Sequence, residues 1–261
     1  MPASVQTKIW VISLADAAAR RAQFAQRVPI VGPAWEFFDA HTEMAPALQH
    51  DSPATRGTHG RTLRSGELGC YSSHYALWQW LSESECEQMI VLEDDVQVDW
   101  NFIDFLSGHN FSEMEINYLR LFAKIPARWR YVASPFLDRY HHLIRFTGYT
   151  LGTQAYLLTK AGARQLLHHG KTIRYPIDAF MDRYWEHGVF NLAIYPFPIF
   201  EIFQTSSIGE ARFKPEAMPL EMKLRFTLAR LDAKARMWQA HCFGDDATRA
   251  LRRNLQGRFT R

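Results

Sequence analysis

The chain has 261 residues, of which 47% are hydrophobic and 14% aromatic, enough apolar side chain to bury a full core without disulfides or structural metals. Its three widely spaced cysteines exclude a disulfide framework and a cysteine-rich zinc site, which points to a reducing compartment. The net charge of +3 is uneven: residues 211–261 hold twelve basic and five acidic residues (+7), and residues 1–210 hold 18 basic and 22 acidic (−4).

The sequence shows neither a secretory signal pattern nor an apolar run of the roughly eighteen residues that a membrane-spanning helix needs. We therefore expect a cytoplasmic protein that is soluble or peripheral on the cytoplasmic face of the inner membrane.

The first part of the chain predicts a strand, a turn and a helix. Residues 8–14 are a short apolar strand, and Asp16 is placed to cap a helix that follows. Residues 41–65 contain two prolines and two glycines without periodicity, which predicts a long loop. A second helix is predicted over residues 66–81.

Strands and helices continue to alternate in the middle of the chain. Residues 89–92 form a fully apolar strand that ends in three acids, Glu93, Asp94 and Asp95. The remaining strands are predicted at 116–122, 142–146, 154–158 and 191–195, and the remaining helices at 160–169 and 176–188. This alternation predicts an α/β domain over residues 1–210, with a mainly parallel sheet covered on both faces.

The acidic triplet lies where ligands of open α/β sheets bind, at the carboxyl end of a strand. Adjacent carboxylates repel one another, and a cation is the simplest compensation. Oxygen ligands suit Mg²⁺ or Mn²⁺, which take one or two protein carboxylates and the oxygens of a bound diphosphate. An acidic turn in which Asp94 or Asp95 only caps the next element is the alternative interpretation.

A series of short motifs over about residues 8–208 resembles glycosyltransferase family 25, the lipooligosaccharide galactosyltransferases with relatives among collagen galactosyltransferases. Order and spacing carry the resemblance, since each motif alone is weak. The motifs are VISL at 11–14 followed by Arg20 and Arg21, GELGCYSSH at 66–74, VLEDDV at 91–96, GTQAY at 152–156 with AGA at 161–163, PID at 176–178 and SSI at 206–208.

The resemblance implies a GT-A-like fold and an inverting transfer of a hexose, most often galactose from UDP-galactose, to a lipid-linked lipooligosaccharide acceptor. UDP-glucose and UDP-N-acetylhexosamine are alternative donors. It implies a divalent metal, Mn²⁺ or Mg²⁺, with Asp95 as metal ligand and Glu93 facing the nucleotide ribose or a metal-bound water.

The resemblance also assigns the donor and acceptor contacts. The implied donor-site residues are Ser13 and Leu14 at the nucleotide, Arg20 or Arg21 at its phosphates, His74 at donor or acceptor, and Gln154 and Tyr156 in the sugar pocket. Some of these side chains also have a structural alternative. Each arginine could lie on a solvent-exposed face, the histidine could be buried with its hydrogen bonds satisfied, and the tyrosine could pack in the core.

Inversion requires a base that is separate from the metal site. Asp178, at the family's Pro-x-Asp position, is the predicted catalytic base, and a helix N-cap is its structural alternative. Asp182 and Glu201 are the reserve candidates. His187 and His241 are available as an extra metal ligand, although nothing in the sequence selects one of them.

The C-terminal residues 211–261 predict a helical region with a basic, amphipathic pattern. Leu220, Leu224, Leu228 and Leu231 recur every three or four residues among Lys and Arg. Such a region can bind an anionic membrane surface, pack on a neighbouring subunit, or be a solvated helical face. Nucleic acid is not expected as a partner, because the basic residues are interleaved with apolar ones.

Two other functional classes fit part of the pattern, and the oligomeric state stays open. A carbohydrate-binding relative without transferase activity would keep the fold. A metal-dependent nucleotide hydrolase or nucleotidyltransferase would also use acids after a strand, but the chain lacks a P-loop glycine pattern.

Overall fold

The computed structural model describes residues 5–202, 219–243 and 245–259. The strands are β1 Thr7–Ser13, β2 Trp35–Asp39, β3 Gln49–His50, β4 Gln88–Glu93, β5 Val96–Val98, β6 Tyr118–Arg120, β7 Trp129–Ala133, β8 His142–Phe146, β9 Ala155–Thr159, β10 Thr172–Ile173, β11 Leu192–Tyr195 and β12 Ile199–Glu201. The helices are α1 Ala18–Gln26, α2 Ser52–His59, α3 Ser65–Glu83, α4 Trp100–Ser107, α5 Lys160–Gly170, α6 Ile177–Met181, α7 Tyr184–His187, α8 Leu220–Phe243 and α9 Asp245–Phe259.

A large mixed sheet forms the centre of the fold, with strand order β2-β1-β4-β9-β6-β11-β8-β7. Strands β2, β1, β4, β6, β11 and β7 run in one direction, whereas β9 and β8 run in the other. The α/β class with a mostly parallel sheet is thus confirmed, and β9 enters it antiparallel between β4 and β6. The carboxyl ends of β1 and β4 and the start of β9 therefore meet at one edge.

Both faces of the sheet are covered, because successive side chains of a strand point to opposite faces. Ile90 and Leu92 of β4 pack in a core with α1, α4 and α9. Met89 and Val91 of the same strand pack in a second core with α3, α5 and α6. A strand buried on both sides is continuously apolar, as residues 89–92 are.

The predicted opening unit is confirmed by β1 and α1, but Asp16 does not cap the helix. The N-cap of α1 is Ala17, which makes no side-chain capping bond. The backbone carbonyl of Asp16 instead accepts the amide of Ala18 at 2.9 Å, within the turn. Side-chain capping is one of several ways to satisfy the first amides of a helix.

The prediction of a long loop over residues 41–65 is wrong, because this segment contains β3 and α2. Asp51 caps α2 by accepting the amide of Ala54 at 3.0 Å, and Gly60 ends it with φ of 86°. Pro53 lies in the first helical turn, where its missing N–H costs no hydrogen bond. Pro53 and Gly60 therefore mark the two ends of a short helix, and contacts with α8 support it.

Later elements follow the predictions with shifts at their ends. Thr159 caps α5 by accepting the amide of Gly162 at 3.2 Å, as expected. The predicted strand at 116–122 is shorter, and the helix predicted over 176–188 is divided into α6 and α7. The interruption falls at Asp182, whose carboxylate is turned into the protein interior.

Among the described residues of the C-terminal region, those of α8 and α9 are helical as predicted. Helix α9 places Leu251 and Leu255 in the core that contains β4, and α8 packs on α2 and α7. The predicted domain boundary near residue 210 and the SSI motif at 206–208 lie outside the described residues. Within the described part of the chain, no helix has both the length and the apolar character to cross a membrane.

Candidate active site

The acidic triplet lies at the sheet edge where β1, β4 and β9 meet. The Glu93 amide donates to the carbonyl oxygen of Gln154 at 2.8 Å, the last link between β4 and the chain entering β9. The Thr153 hydroxyl donates to Glu93 Oε1 at 2.8 Å. Glu93 is thus oriented by the residues that immediately precede β9.

The middle acid, Asp94, joins the triplet to the turn after β1. It is buried and accepts the Ser13 hydroxyl at 2.5 Å, while Arg20 Nε lies 3.5 Å from the same carboxylate oxygen. Leu14 follows Ser13 in this turn, where its carbonyl accepts the amide of Ala17 at 3.1 Å. Ser13 and Arg20 therefore lie beside the triplet, with Leu14 in the same turn, and their role at a nucleotide stays a prediction.

Arg21 is directed differently from Arg20. Its guanidinium donates to the Ser13 carbonyl at 2.9 Å and forms an ion pair with Asp39 at the end of β2. Of the two arginines proposed for the phosphates, Arg20 is the one at the acidic triplet. Arg27, which the sequence did not indicate, donates to the carbonyls of Asp94 and Val96 and so supports the triplet backbone.

The last acid, Asp95, belongs to a second group of charges with Glu201 and Lys124. Strand β12 pairs with β5 so that Glu201 lies opposite Val96, and Lys124 Nζ is 2.7 Å from Glu201 Oε1. Asp95 Oδ1 is buried and has no hydrogen-bond partner among the described residues. Glu201, a reserve candidate for the base, is therefore part of the acidic group.

The environment disfavours the charged forms of two of these carboxyls. Burial raises the pKa of Glu93, and the charge of Asp95 raises it further. Burial also raises the pKa of Asp95, followed by the charges of Asp94 and Glu201. Lys124 opposes both shifts without cancelling them. The site therefore favours the approach of additional positive charge.

The residues fit a divalent cation that completes its coordination with substrate. Within residues 5–202, 219–243 and 245–259, no group of three or more His, Cys, Asp or Glu side chains is arranged to hold a metal. Mg²⁺ and Mn²⁺ commonly take one or two protein carboxylates and fill the remaining positions with phosphate oxygens and water. Asp95, with its unpartnered buried oxygen, and Glu93 are the side chains that match this pattern.

A buried ion pair beneath the edge shapes the loop 150–153. Arg120 Nη2 donates to Asp182 Oδ1 at 2.8 Å, and Arg120 Nη1 donates to the carbonyls of Leu151 and Gly152. Asp182 also accepts the amides of Thr150 and Leu151 at 2.8 and 2.7 Å. Since Asp182 is 1% exposed, it cannot meet an acceptor, and the reserve role proposed for it as base is wrong.

We expect Asp182→Ala to destabilise the protein by about 3–5 kcal/mol, because it leaves the Arg120 guanidinium buried without its counter-ion. Urea unfolding measures this. The double variant Arg120→Met, Asp182→Ala should recover part of the loss, and additive effects of the two single substitutions would contradict the coupling.

The same loop brings Asp178 to the acidic triplet. The Gly152 amide donates to Asp178 Oδ2 at 3.4 Å, and the next residue, Thr153, binds Glu93. Gly152 has φ of 75°, and a Cβ there would lie 2.4 Å from Gln154 Oε1, so the loop requires glycine. Two carboxylates 85 positions apart in sequence, Glu93 and Asp178, are thus held by adjacent loop residues.

Asp178 is well disposed to act on a substrate. It is half-buried at the start of α6, and Oδ1 accepts the amide of Ala179 at 2.7 Å. It forms no ion pair with any residue that the structure describes. Its carboxylate keeps free acceptor positions.

His74 and Tyr156 lie below the site instead of lining it. Both are 0% exposed, and His74 Nδ1 is 2.9 Å from the Tyr156 hydroxyl, which also accepts Trp78 Nε1 at 3.1 Å. His74 Nε2 is 4.0 Å from Glu93 Oε1. Burial lowers the pKa of His74 to about 3, so the ring is neutral at pH 7 and supports Glu93 as a neutral neighbour. The predicted direct contacts of these two side chains with donor or sugar need correction, because neither reaches solvent.

Gln154 lies closer to the acids. Its Nε2 donates to Glu201 Oε1 at 3.3 Å, and its Oε1 is buried with no hydrogen-bond partner among the described residues. An unpartnered buried acceptor beside a charged group is costly unless a ligand completes it. Gln154 is therefore the member of the GTQAY motif whose side chain is available to a ligand.

His187 is not a metal ligand of this site. Its Nε2 lies 3.1 Å from the Phe180 carbonyl, and its Nδ1 accepts the Val189 amide at 3.1 Å. Both ring nitrogens are thus used inside the core. The side chain of His241 lies outside the described residues.

Sequence reasoning missed Lys124 and Thr153 as members of the site. Lys124 follows β6 at the carboxyl edge, and this position after a strand was the available signal. Thr153 lies inside the GTQAY motif, in which the resemblance assigned only Gln154 and Tyr156 to the site.

Comparison with known proteins decides the family. Residues 6–181 match the model of "Glycosyltransferase family 25 (LPS biosynthesis protein)". The chain belongs to glycosyltransferase family 25. The match includes the acidic triplet, the GTQAY loop and Asp178, and it ends before the C-terminal helices.

Curated relatives of family 25 include both transferases and proteins named inactive. The chain is 31% identical over 130 residues to procollagen galactosyltransferase 1-B of Xenopus laevis (47% of this chain, 20% of the relative). It is 32% identical over 130 residues to inactive glycosyltransferase 25 family member 3 of Homo sapiens (47% and 21%), and 28% identical over 187 residues to the protein of that name from Mus musculus (67% and 31%). The chain thus spans a fifth to a third of the length of these family 25 relatives.

Proposed function

We propose that this family 25 protein is an active, inverting glycosyltransferase that moves a hexose, galactose from UDP-galactose, to a lipid-linked lipooligosaccharide acceptor. The family description supports an acceptor in lipopolysaccharide biosynthesis. The name of the Xenopus laevis relative supports galactose as the sugar. The reaction would take place at the cytoplasmic face of the inner membrane.

The observation that carries the proposal is the meeting of three features at one sheet edge. Asp95 presents an unsatisfied buried oxygen, Gln154 presents a second, and Asp178 presents a carboxylate without an ion-pair partner among the described residues. A protein that only preserved the fold would have no need for unsatisfied polar atoms, which cost stability. The arrangement therefore supports catalysis over a purely structural or carbohydrate-binding role.

Donor binding in this proposal uses the turn after β1 and the acidic triplet. Ser13, Leu14 and Arg20 lie against the nucleotide and phosphates, and Gln154 Oε1 accepts a hydroxyl of the donor sugar. Asp95 and Glu93 would hold the Mn²⁺ or Mg²⁺ ion, which supplies positive charge to the departing diphosphate when bound.

The reaction itself requires an acceptor hydroxyl in line with the departing diphosphate. Asp178 takes the proton of that hydroxyl while its oxygen forms a bond to the anomeric carbon and the bond from that carbon to the diphosphate breaks. The products are the inverted glycoside, UDP and protonated Asp178, which returns its proton to water. Lys124 and Arg20 provide further positive charge near the diphosphate, and oriented charges of this kind stabilise the transition state.

A thermal-unfolding screen of UDP-sugars with and without Mn²⁺ tests the donor, because a ligand that binds the native state raises its apparent stability. We expect UDP-galactose with Mn²⁺ to give the largest shift. If UDP-glucose or a UDP-N-acetylhexosamine gives the largest shift, that sugar replaces galactose as the proposed donor. If none of the nucleotide sugars shifts the unfolding temperature, the transferase proposal is overturned.

A second measurement separates transfer from nucleotide hydrolysis. UDP release should require an acceptor sugar, and its rate should follow the acceptor concentration. Equal release without an acceptor would favour a metal-dependent nucleotide hydrolase.

A further inference from the structure

Helix α8 has two apolar faces, and only one of them is packed on the protein. The residues turned toward α2 and α7 recur every three or four positions, as a packed helix face requires. They are Met222, Phe226, Ala229, Ala233 and Met237. These residues attach α8 to the α/β domain.

The second apolar face is solvent-exposed. Its exposed fractions are 84% for Leu220, 60% for Leu224, 55% for Leu228, 57% for Leu231 and 65% for Trp238. At about 100° per residue, these five side chains lie within about 80° of one another around the helix. We call them the apolar ridge. The leucine row that the sequence indicated is thus not the face by which α8 packs.

The two flanks of the apolar ridge differ in charge. On one flank Arg225 is 2.8 Å from Glu221, and Arg236 is 2.9 Å from Asp232, each one turn apart. This flank is neutral.

On the other flank are Lys223, Arg230 and Lys234, and none of them forms an ion pair with a residue that the structure describes. Arg230 stacks on Phe226 of its own helix. The apolar ridge is therefore bordered on one side by three uncompensated positive charges.

We propose that the apolar ridge docks on an anionic lipid bilayer, with its leucines and Trp238 entering the headgroup region and the cationic flank on the lipid phosphates. Exposed contiguous apolar surface marks an interaction site. With its other apolar face packed on the protein, α8 presents to solvent a row of leucines and a tryptophan beside basic side chains, the combination by which helices lie on a membrane surface. Both contributions, apolar burial and attraction to anionic headgroups, come from side chains that the protein itself leaves unused.

A second copy of the chain is a poorer occupant of the apolar ridge. In an antiparallel two-fold dimer each helix flank faces the same flank of its partner. The cationic flank, Lys223, Arg230 and Lys234, would then meet its own like charges. An anionic surface instead neutralises them.

Docking also connects the membrane-bound helix to the segment that contains Asp178. Helix α8 packs on α2, and the hydroxyl of Thr58 in α2 donates to the Arg174 carbonyl at 3.1 Å, four positions before Asp178. The docked helix and the predicted base are thus linked through one helix. This consequence rests on the proposed transferase function, whereas membrane docking itself does not.

Vesicle sedimentation with the full chain tests the proposal, using phosphatidylcholine vesicles with and without phosphatidylglycerol. The protein should pellet with the anionic vesicles, not with the neutral ones, and high salt should release most of it. Leu224→Gln, Leu228→Gln, Leu231→Gln should weaken binding more than about tenfold, because apolar burial is lost. These side chains are exposed, so the variant should fold normally, which its unfolding transition checks.

A matched pair of charge variants makes the test local. Lys223→Gln, Lys234→Gln should weaken binding to anionic vesicles about 25-fold, since each basic residue near the surface contributes about fivefold. Arg225→Gln, Arg236→Gln removes the same charge from the neutral flank and should change binding by less than about threefold.

Three outcomes would overturn the proposal. Equal weakening by both charge variants would show only an effect of net charge. Failure of wild-type protein to bind anionic vesicles would exclude docking. A dimer in sedimentation velocity that the leucine variant dissociates, without vesicle binding, would assign the ridge to a second copy. Transfer to a soluble acceptor sugar should be the same in all these variants as in the wild-type protein. If the wild-type protein binds anionic vesicles but transfers no sugar, the proposed transferase function fails and membrane docking stands.

Discussion

Asp95→Ala should abolish sugar transfer and remove the Mn²⁺-dependent part of UDP binding while the fold stays intact. The diphosphate carries negative charge into an edge that already contains Glu93, Asp94 and Glu201, and its desolvation there is unfavourable without a cation. Asp95 has the oxygen that no described protein group satisfies, so its removal deprives the cation of its main ligand and costs the fold little.

Calorimetric titration of UDP with and without Mn²⁺ measures binding, and an acceptor-dependent UDP release assay measures transfer. Glu85→Ala is the control, because Glu85 is an exposed carboxylate that precedes β4, at the end of that strand opposite to the acidic triplet. Full activity of Asp95→Ala, or of the wild-type protein in excess chelator, would refute the metal assignment.

Asp178→Asn should keep UDP-sugar and Mn²⁺ binding but reduce transfer by about two to four orders of magnitude, the usual contribution of a general base. The carboxamide oxygen of asparagine can still accept the backbone amide of Ala179, the shorter of the two bonds that hold the side chain, and only the 3.4 Å bond from the Gly152 amide is expected to be lost. It cannot take a proton at neutral pH. The substitution thus removes proton acceptance with little change in shape.

Single-turnover transfer and donor affinity should be measured on the same preparation. Glu186→Gln is a suitable control, because Glu186 lies in the adjacent α7 and binds Arg183 and Tyr175 instead of facing the acidic edge. Weaker UDP binding by Asp178→Asn would assign Asp178 to the donor site. Near-normal turnover would show that another group removes the proton.

Because some relatives are named inactive, these two experiments test whether this family 25 chain is an active member. The names of the Homo sapiens and Mus musculus proteins show that membership of family 25 does not ensure activity. Activity depends on individual side chains at the site. Loss of transfer in both variants, with wild-type transfer present, would place this chain among the active members.

The sequence by itself determined the elements whose signals are local. The apolar run at residues 89–92 predicted β4, and the acids after it predicted a ligand site, since a strand buried on both faces is continuously apolar and delivers its end to the sheet edge. Thr159 predicted the start of α5, because its capping bond joins it to Gly162, only three residues further along the chain. The ordered motifs predicted the family before any contact was known.

Other features depend on contacts between distant segments, and only the tertiary structure decided them. Asp182 was a reserve to Asp178 in the sequence, and its burial by Arg120 and the loop 150–152, which leaves Asp178 at the site, could not be read from the sequence. The leucines of α8 predict an amphipathic helix, but a second apolar face, which includes Met222 and Phe226, is the one that packs on the protein. Periodicity shows that a helix has an apolar face, whereas the face that packs is set by the surface it meets, and that surface is assembled from residues far away along the chain.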